Sequence, residues 1–241
     1  MTMKVLRHRL QQDDGTPYPF RRSPNQSGPI TPEYLVMHYT AGRSAESSVA
    51  WLIDPAAKAS AHLVIGRDGG VTQLVGFNRK AWHAGASRWV GREGVNTFSI
   101  GIELDNPGLL VRRADGWRNE WGDPVEDGDV IEAAHKNGGP VQGWHAYATG
   151  QIEVAVEVAT VLARRYGLKD VIGHDDVAPG RKSDPGPAFP MSLLRERAMG
   201  HADDAPETME TTAALNIRAG PGAEYDKLPQ SPLPPATRVE E

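Results

Sequence analysis

Tyr34-Leu35-Val36-Met37-His38-Tyr39 is a near-continuous apolar run of strand length, the pattern of a strand buried on both faces at the centre of a sheet. What surrounds it decides the kind of sheet. Ser44 to Ala59 carries Val49, Trp51, Leu52 and Ile53 among alanines and predicts a helix, capped by Ser44 or Ser47 and interrupted at Pro55. His62-Leu63-Val64-Ile65 and Val71-Thr72-Gln73-Leu74-Val75 flank Arg67-Asp68-Gly69-Gly70, a strong hairpin signal. Phe98 to Leu104 reads as another strand, with large residues alternating around Gly101. Gln151 to Tyr166 is the clearest helix: Ile152, Ala155, Val156, Ala159, Leu162, Ala163 and Tyr166 keep the three-to-four rhythm, with Thr149 as candidate N-cap and Gly167 as stop. Asp170-Val171-Ile172-Gly173-His174 then gives a short parallel-type strand, and a last helix runs from about Ser192 to Met199. The order predicts an α/β fold, a mixed central β-sheet flanked by helices.

Three stretches fall outside this frame. Residues 1–33, punctuated by Gly15, Pro17, Pro19, Pro24, Gly28 and Pro32, read as an extended lead-in to a main domain spanning 34–199. Residues 105–148 are rich in Gly, Asp, Arg and Trp without a sustained period. They predict a long excursion with a short hairpin and a turn of helix near Val130 to His135, of the kind that walls a binding cleft. After Met199 the composition turns acidic, and residues 200–212 read as a linker.

Composition removes several classes of function. The formal net charge is −5 and no basic stripe stands out, which argues against a nucleic-acid partner. No apolar run approaches the roughly 20 residues that span a bilayer, so no membrane insertion is expected. The N-terminus lacks the apolar core of a secretory signal; the expectation is a protein cytoplasmic as synthesised, or released by a route other than a cleaved signal. Cysteine is absent, so any metal is held by His and carboxylates. Oligomeric state is not legible.

Two of the eight histidines end buried strands: His38 after Leu35-Val36-Met37 and His174 after Val171-Ile172. Ligands gather at such strand ends in α/β sheets. The loop after His174, Asp175 to Pro187, is stiffened by Pro179, Pro185, Pro187, Gly180 and Gly186, which suits a rigid mount for side chains. Taken singly, each histidine is more often a hydrogen-bonded core or surface residue, and each Asp more often a turn or cap residue.

Five segments in order carry more. Val36-Met37-His38-Tyr39-Thr40, Ser60-Ala61-His62-Leu63-Val64-Ile65, Ala81-Trp82-His83-Ala84-Gly85, Ser99-Ile100-Gly101-Ile102-Glu103-Leu104 and the run from Ile172 to Pro187 closely resemble the zinc-dependent N-acetylmuramoyl-L-alanine amidases related to phage lysins and peptidoglycan-recognition proteins. The resemblance implies that fold over about residues 34–199 and one Zn2+ on His38, His174 and Asp184. Two imidazoles and a carboxylate leave a fourth tetrahedral position open, as catalytic zinc requires. It implies Glu103 as the catalytic acid/base and Lys182 beside the metal as a fixed cation for the oxyanion. His62 and His83 occupy positions that line or support the cleft, and Trp82, with Trp144 and His145, has the make-up of a surface for a sugar. Residues 61 and 184 depart from many phage relatives, which have Tyr and Cys there; Ala61 and Asp184 place the chain nearer the muropeptide-recycling and cell-envelope branch.

The implied reaction is hydrolysis of the amide between N-acetylmuramic acid and L-alanine in peptidoglycan or muropeptides. Its rivals are a non-catalytic peptidoglycan-binding protein and a zinc peptidase cutting another stem-peptide bond. Finally, Leu215-Asn216-Ile217-Arg218-Ala219-Gly220-Pro221-Gly222 resembles the opening of bacterial SH3-like wall-binding modules. Residues 213–241 are therefore expected to be an incomplete segment of that type, or a tail.

Overall fold

In the computed structural model the described residues are 3–200, 208–210 and 238–240. The N-terminal stretch is not the extended lead-in expected of residues 1–33. It folds as a hairpin, β1 (Met3–Leu6) and β2 (Arg9–Gln12), turned through Arg7 and His8, both at positive φ, as a two-residue hairpin turn demands. Met3 and Leu10 enter the main core, and the Leu10 N–H donates to the Gln73 side-chain oxygen at 2.9 Å. The prolines and glycines concealed a local pairing that needs only two buried side chains. β3 (Gln26–Pro29) follows.

The chain then runs through β4 (Tyr34–Tyr39), α1 (Ala45–Leu52), β5 (Leu63–Ile65), β6 (Val71–Gln73), β7 (Arg79–Ala81), the small pair β8 (Arg88–Trp89) and β9 (Arg92–Glu93), and β10 (Ser99–Leu104). Ser44 caps α1 in a reciprocal box with Ser47, and Pro55 opens a separate single turn behind it. The excursion contributes β11 (Leu109–Arg113), β12 (Gly116–Arg118), β13 (Pro124–Val125), β14 (Val130–Ala134) and β15 (Val141–His145); α2 (Thr149–Tyr166), β16 (Asp170–Gly173), α3 (His174–Val177) and α4 (Met191–Met199) complete the body. Ala148, not Thr149, stands at the N-cap of α2, and Gly167 ends it at φ 61°.

The main sheet has the order β16-β4-β10-β5-β6. Its first four strands are parallel and β6 is antiparallel to β5, which is the mixed sheet expected. Leu35, Met37, Ile100, Ile102, Leu104, Leu63 and Ile65 pack with α2 and α4 in one core. In-register parallel neighbours share a face, so His38 and Glu103, which pair across β4 and β10, project together from the other.

The excursion folds as a second sheet, β13-β12-β11-β15-β14. The turn of helix expected near Val130 to His135 is instead strand β14, paired from Val130↔His145 to Ala134↔Val141. β-Branched Val130 and Ile131 favour it, and Gly138 and Gly139, both at positive φ, close the hairpin. Among the described residues no helix is long and apolar enough to cross a membrane. β17 (Thr208–Glu210) pairs antiparallel with β18 (Arg238–Glu240) in a separate unit. The rest of the linker and of the SH3-like segment lies outside the described residues.

Candidate metal centre and cleft

Two strand ends and one loop converge at the C-terminal edge of the main sheet. His38 is the penultimate residue of β4, and His174 follows β16 directly. These strands are neighbours, with Gly173 opposite Met37, so the two imidazoles emerge side by side. The loop carrying Asp184 is fastened from three directions. The Asp175 N–H donates to the Asp184 carbonyl at 2.8 Å, the Tyr147 hydroxyl donates to the Pro185 carbonyl at 2.8 Å, and the Trp144 ring lies against Gly186, where a Cβ would fall 2.9 Å from it. Buried Trp144 is thus a floor for this loop and offers no face to a sugar. His145 is likewise buried, its ring against Arg67.

His38 Nδ1, His174 Nδ1 and Asp184 Oδ2 form a buried triangle with sides of 2.9, 3.0 and 2.8 Å. His174 Nε2 lies 3.1 Å from the Ala84 carbonyl oxygen. A carbonyl only accepts, so the ring proton sits on Nε2 and Nδ1 presents a lone pair. That lone pair faces a carboxylate oxygen. Two acceptors this close and out of water repel, and a cation between them removes the conflict. The triangle therefore has the donor set and the electrostatics of a place that could hold a metal ion. Burial, reinforced by neighbouring His174, pulls His38 down to about 4, leaving it a neutral imidazole.

Glu103 projects from β10 beside His38. Its Oε2 is buried with no hydrogen-bond partner. Burial, reinforced by the charge of Asp184 and opposed by Lys182, pushes the Glu103 carboxyl well above its usual range. Both Glu103 and exposed Lys182 line a cleft of about 790 Å³ that contains the triangle. Trp82 lines it too, its indole N–H donating to Ser27 Oγ at 3.0 Å.

The other two expected substrate residues take different posts. His62 is wholly buried and does not reach the cleft: Nε2 donates to the Arg79 carbonyl at 2.9 Å, and Nδ1 accepts the Gly101 N–H at 3.0 Å. Both nitrogens serve backbone, so it ties β7 to β10. His83 borders the cleft, but its nitrogens face His38 at 3.0 Å and Ser99 at 3.3 Å, which makes it a support of His38. Two cleft residues were not legible as such in the sequence. Trp51 of α1 is 58% exposed and Trp121 of the β12–β13 turn 47% exposed, and both line the cleft. The Trp121 indole donates to the Ala41 carbonyl at 3.2 Å, and the Arg43 guanidinium lies 5.2 Å from its ring centre. An exposed indole is informative only once the fold shows which opening it borders.

Residues 27–187 match the family described as N-acetylmuramoyl-L-alanine amidase. Over 184 residues the chain is 33% identical to the 1,6-anhydro-N-acetylmuramyl-L-alanine amidase AmpD of Escherichia coli (strain K12), covering 68% of this chain and 81% of that protein. It is 34% identical over 180 residues to the N-acetylmuramoyl-L-alanine amidase AmiD of the same strain, spanning 71% of this chain and 55% of AmiD. Among solved structures, E. coli AmiD with the substrate anhydro-N-acetylmuramic acid-L-Ala-D-gamma-Glu-L-Lys aligns at a TM-score of 0.55 and 28% identity, covering 82% of this chain and 66% of that one. AmpDh3 from Pseudomonas aeruginosa, in complex with anhydromuramic pentapeptide, aligns at 0.53 and 29%, covering 75% and 64%. These are similar in fold as well as in sequence. With a match that opens in β3 and closes just beyond Asp184, the chain belongs to the N-acetylmuramoyl-L-alanine amidase family.

Proposed function

We propose that this chain is a zinc hydrolase that cleaves the amide between the lactyl group of N-acetylmuramic acid and the L-alanine of the stem peptide, with muropeptides as its substrate class. The observation that carries the reading is the buried His38–His174–Asp184 triangle with the unpartnered Glu103 carboxyl beside it in one cleft. A cleft of about 790 Å³ is of the size that encloses a small ligand, and the solved relatives above hold anhydromuramyl peptides. Two imidazoles and one carboxylate suit zinc better than a hard cation, which prefers oxygen alone.

His38, His174 and Asp184 would hold the ion. What zinc supplies there is Lewis acidity, toward the scissile carbonyl and toward water. Glu103, whose carboxyl is kept basic by burial, takes a proton from the attacking water as its oxygen bonds to the lactyl carbonyl carbon. The same carboxyl returns that proton to the alanine nitrogen as the carbon–nitrogen bond breaks. The products are a lactyl carboxylate and a free amino terminus. The Lys182 ammonium faces the oxyanion that forms in between.

Asp184→Ala is expected to bring bound zinc well below one equivalent and to abolish hydrolysis of a defined muropeptide. In the wild type, product masses should equal the muramic acid and the intact stem peptide. Full zinc occupancy in the variant, or masses reporting another bond, would overturn the reading.

A further inference from the structure

The two imidazoles of the triangle are held from behind by adjacent residues. His174 meets the Ala84 carbonyl, and His38 Nε2 meets His83 Nδ1 at 3.0 Å. One oxygen holds both: Asn96 Oδ1 accepts the His83 N–H at 3.1 Å and the Ala84 N–H at 2.8 Å. We infer that the His83–Ala84 pair, clamped by Asn96, is a positioning element that keeps the protons of His38 and His174 on Nε2 and turns both Nδ1 lone pairs toward the metal position. The inference rests on the reading of the triangle as a zinc site.

The direction of the His38 chain is fixed at its far end. The Ser99 hydroxyl lies 2.7 Å from the Val95 carbonyl, which can only accept. Having given up its one proton, Ser99 Oγ can only accept from His83 Nε2, 3.3 Å away. His83 is buried with its ring nitrogens on His38 and Ser99, neither of which carries a negative charge, so the ring is neutral. A neutral ring with its proton on Nε2 has an acceptor at Nδ1. His38 Nε2 must therefore donate, and His38 Nδ1 carries a lone pair. At His174 the same result follows directly from the Ala84 carbonyl, whose other lone pair takes Arg181 Nη2 at 2.8 Å. One dipeptide thus sets both rings, by a side chain on one side and by backbone on the other.

The local sequence is shaped to this arrangement. His83 lies over Gly101, where a Cβ would fall 2.4 Å from the ring, so any side chain there displaces it. His62, edge-on at 5.9 Å, has both nitrogens committed to backbone and cannot compete for the His83 proton. Partners of this kind orient ligands and tune their affinity without touching the ion.

The test starts with nitrogen-15 ring spectra of the metal-free full chain, in which His38 and His174 should both appear as Nε2–H tautomers. Zinc affinity by chelator competition is then compared in wild type, His83→Phe, His83→Asn and Asn96→Ala. His83→Phe keeps the ring but loses the acceptor and should weaken zinc by about 10- to 100-fold, with the His38 tautomer redistributed. His83→Asn places an acceptor oxygen near the lost Nδ1 and should recover most of the affinity. Asn96→Ala should weaken zinc by a smaller factor and disturb both rings. An Nδ1–H tautomer at His38 in the wild type would overturn the inference. So would wild-type affinity in His83→Phe, or a His83→Asn protein that folds but recovers nothing. If the wild type binds no zinc, the site reading fails, while the tautomers of the metal-free chain still decide the inference.

Discussion

Successive side chains of β10 enter two environments joined only by the backbone. Ile100, Ile102 and Leu104 point into the core shared with α2, where Ala155, Val158, Ala159 and Leu162 cover them. Ser99, Gly101 and Glu103 point the other way, toward His83 and His38. The first face is held by apolar burial, which is non-directional and tolerates exchange of one aliphatic shape for another. The second is held by directed bonds: His83 on Ser99, Ser99 on Val95, Gly101 on the His62 ring. Within this network Glu103 Oε2 is left without a partner, and a buried acceptor left unmade costs about 1–3 kcal/mol. The apolar face supplies a rigid mount, and the polar face concentrates its unmet demand on the group proposed to move the proton.

The largest effect should come from Glu103→Gln. It keeps size and most contacts but cannot take up a proton near neutrality, so turnover should fall by about 10²-fold or more while zinc content and melting temperature stay near wild type. Ile102→Ala, one residue away on the other face, should do the reverse. It should cost about 2–5 kcal/mol of stability and leave turnover per folded molecule nearly intact. Measuring kcat and urea midpoints for both variants checks the pair. If Glu103→Gln lost stability and kept turnover, the division between faces would collapse.

A smaller difference should appear with pH. Burial, opposed by its two backbone bonds, pulls His62 down to about 4. The unfolded chain therefore takes up this proton first, near pH ~6.5. Stability of the metal-free protein should accordingly be full above about pH 6.5 and fall as pH drops toward 4, by about 3 kcal/mol for this ring. Ile102→Ala should lower the whole profile without changing its slope. Denaturation series across that window read both, and a flat wild-type profile would mean that His62 is already protonated in the fold.

The same contrast explains what was legible in the sequence. Val36-Met37-His38 and Ile100-Gly101-Ile102-Glu103 announce themselves because a strand buried on both faces must be apolar except where it does chemistry. The amphipathic period of α2 is visible for a related reason. The excursion is different: β11 to β15 are half-exposed, and what orders them is pairing register such as Ile131↔Trp144, which leaves no periodic trace. The N-terminal hairpin fails to show for the same cause, since Met3 and Leu10 are its fully buried side chains and Val5 is only partly covered. At the site, the His38–His174–Asp184 cluster and Glu103 are legible through motif resemblance joined to strand-end placement. The roles of His62, His83 and Asn96 depend on which nitrogen or oxygen faces which partner, and that is a property of three-dimensional packing.

The excursion offers the mildest test, because it touches the cleft through an element unlike either face of β10. The β12–β13 turn is stiffened by Asn119, whose Oδ1 accepts the N–H groups of Trp121 at 3.0 Å and Asp123 at 2.9 Å. Trp121 is therefore held in place while its ring remains 47% exposed beside the opening, with 58%-exposed Trp51 also on its border. An indole so presented suits the apolar face of a sugar ring or an aliphatic stretch of stem peptide. Contact of that kind is made equally in ground and transition states, and its loss raises KM and spares kcat. Trp121→Ala should raise KM for a soluble muropeptide by about 5- to 10-fold, corresponding to about 1 kcal/mol, with kcat within about two-fold of wild type. Stability should change little, since the ring is half in solvent. The indole also donates to the carbonyl of Ala41, which sits at φ 48° three residues after His38. If kcat falls as far as KM rises, that hydrogen bond is shaping the β4 exit behind the proposed metal centre, and the excursion then belongs to the polar face after all.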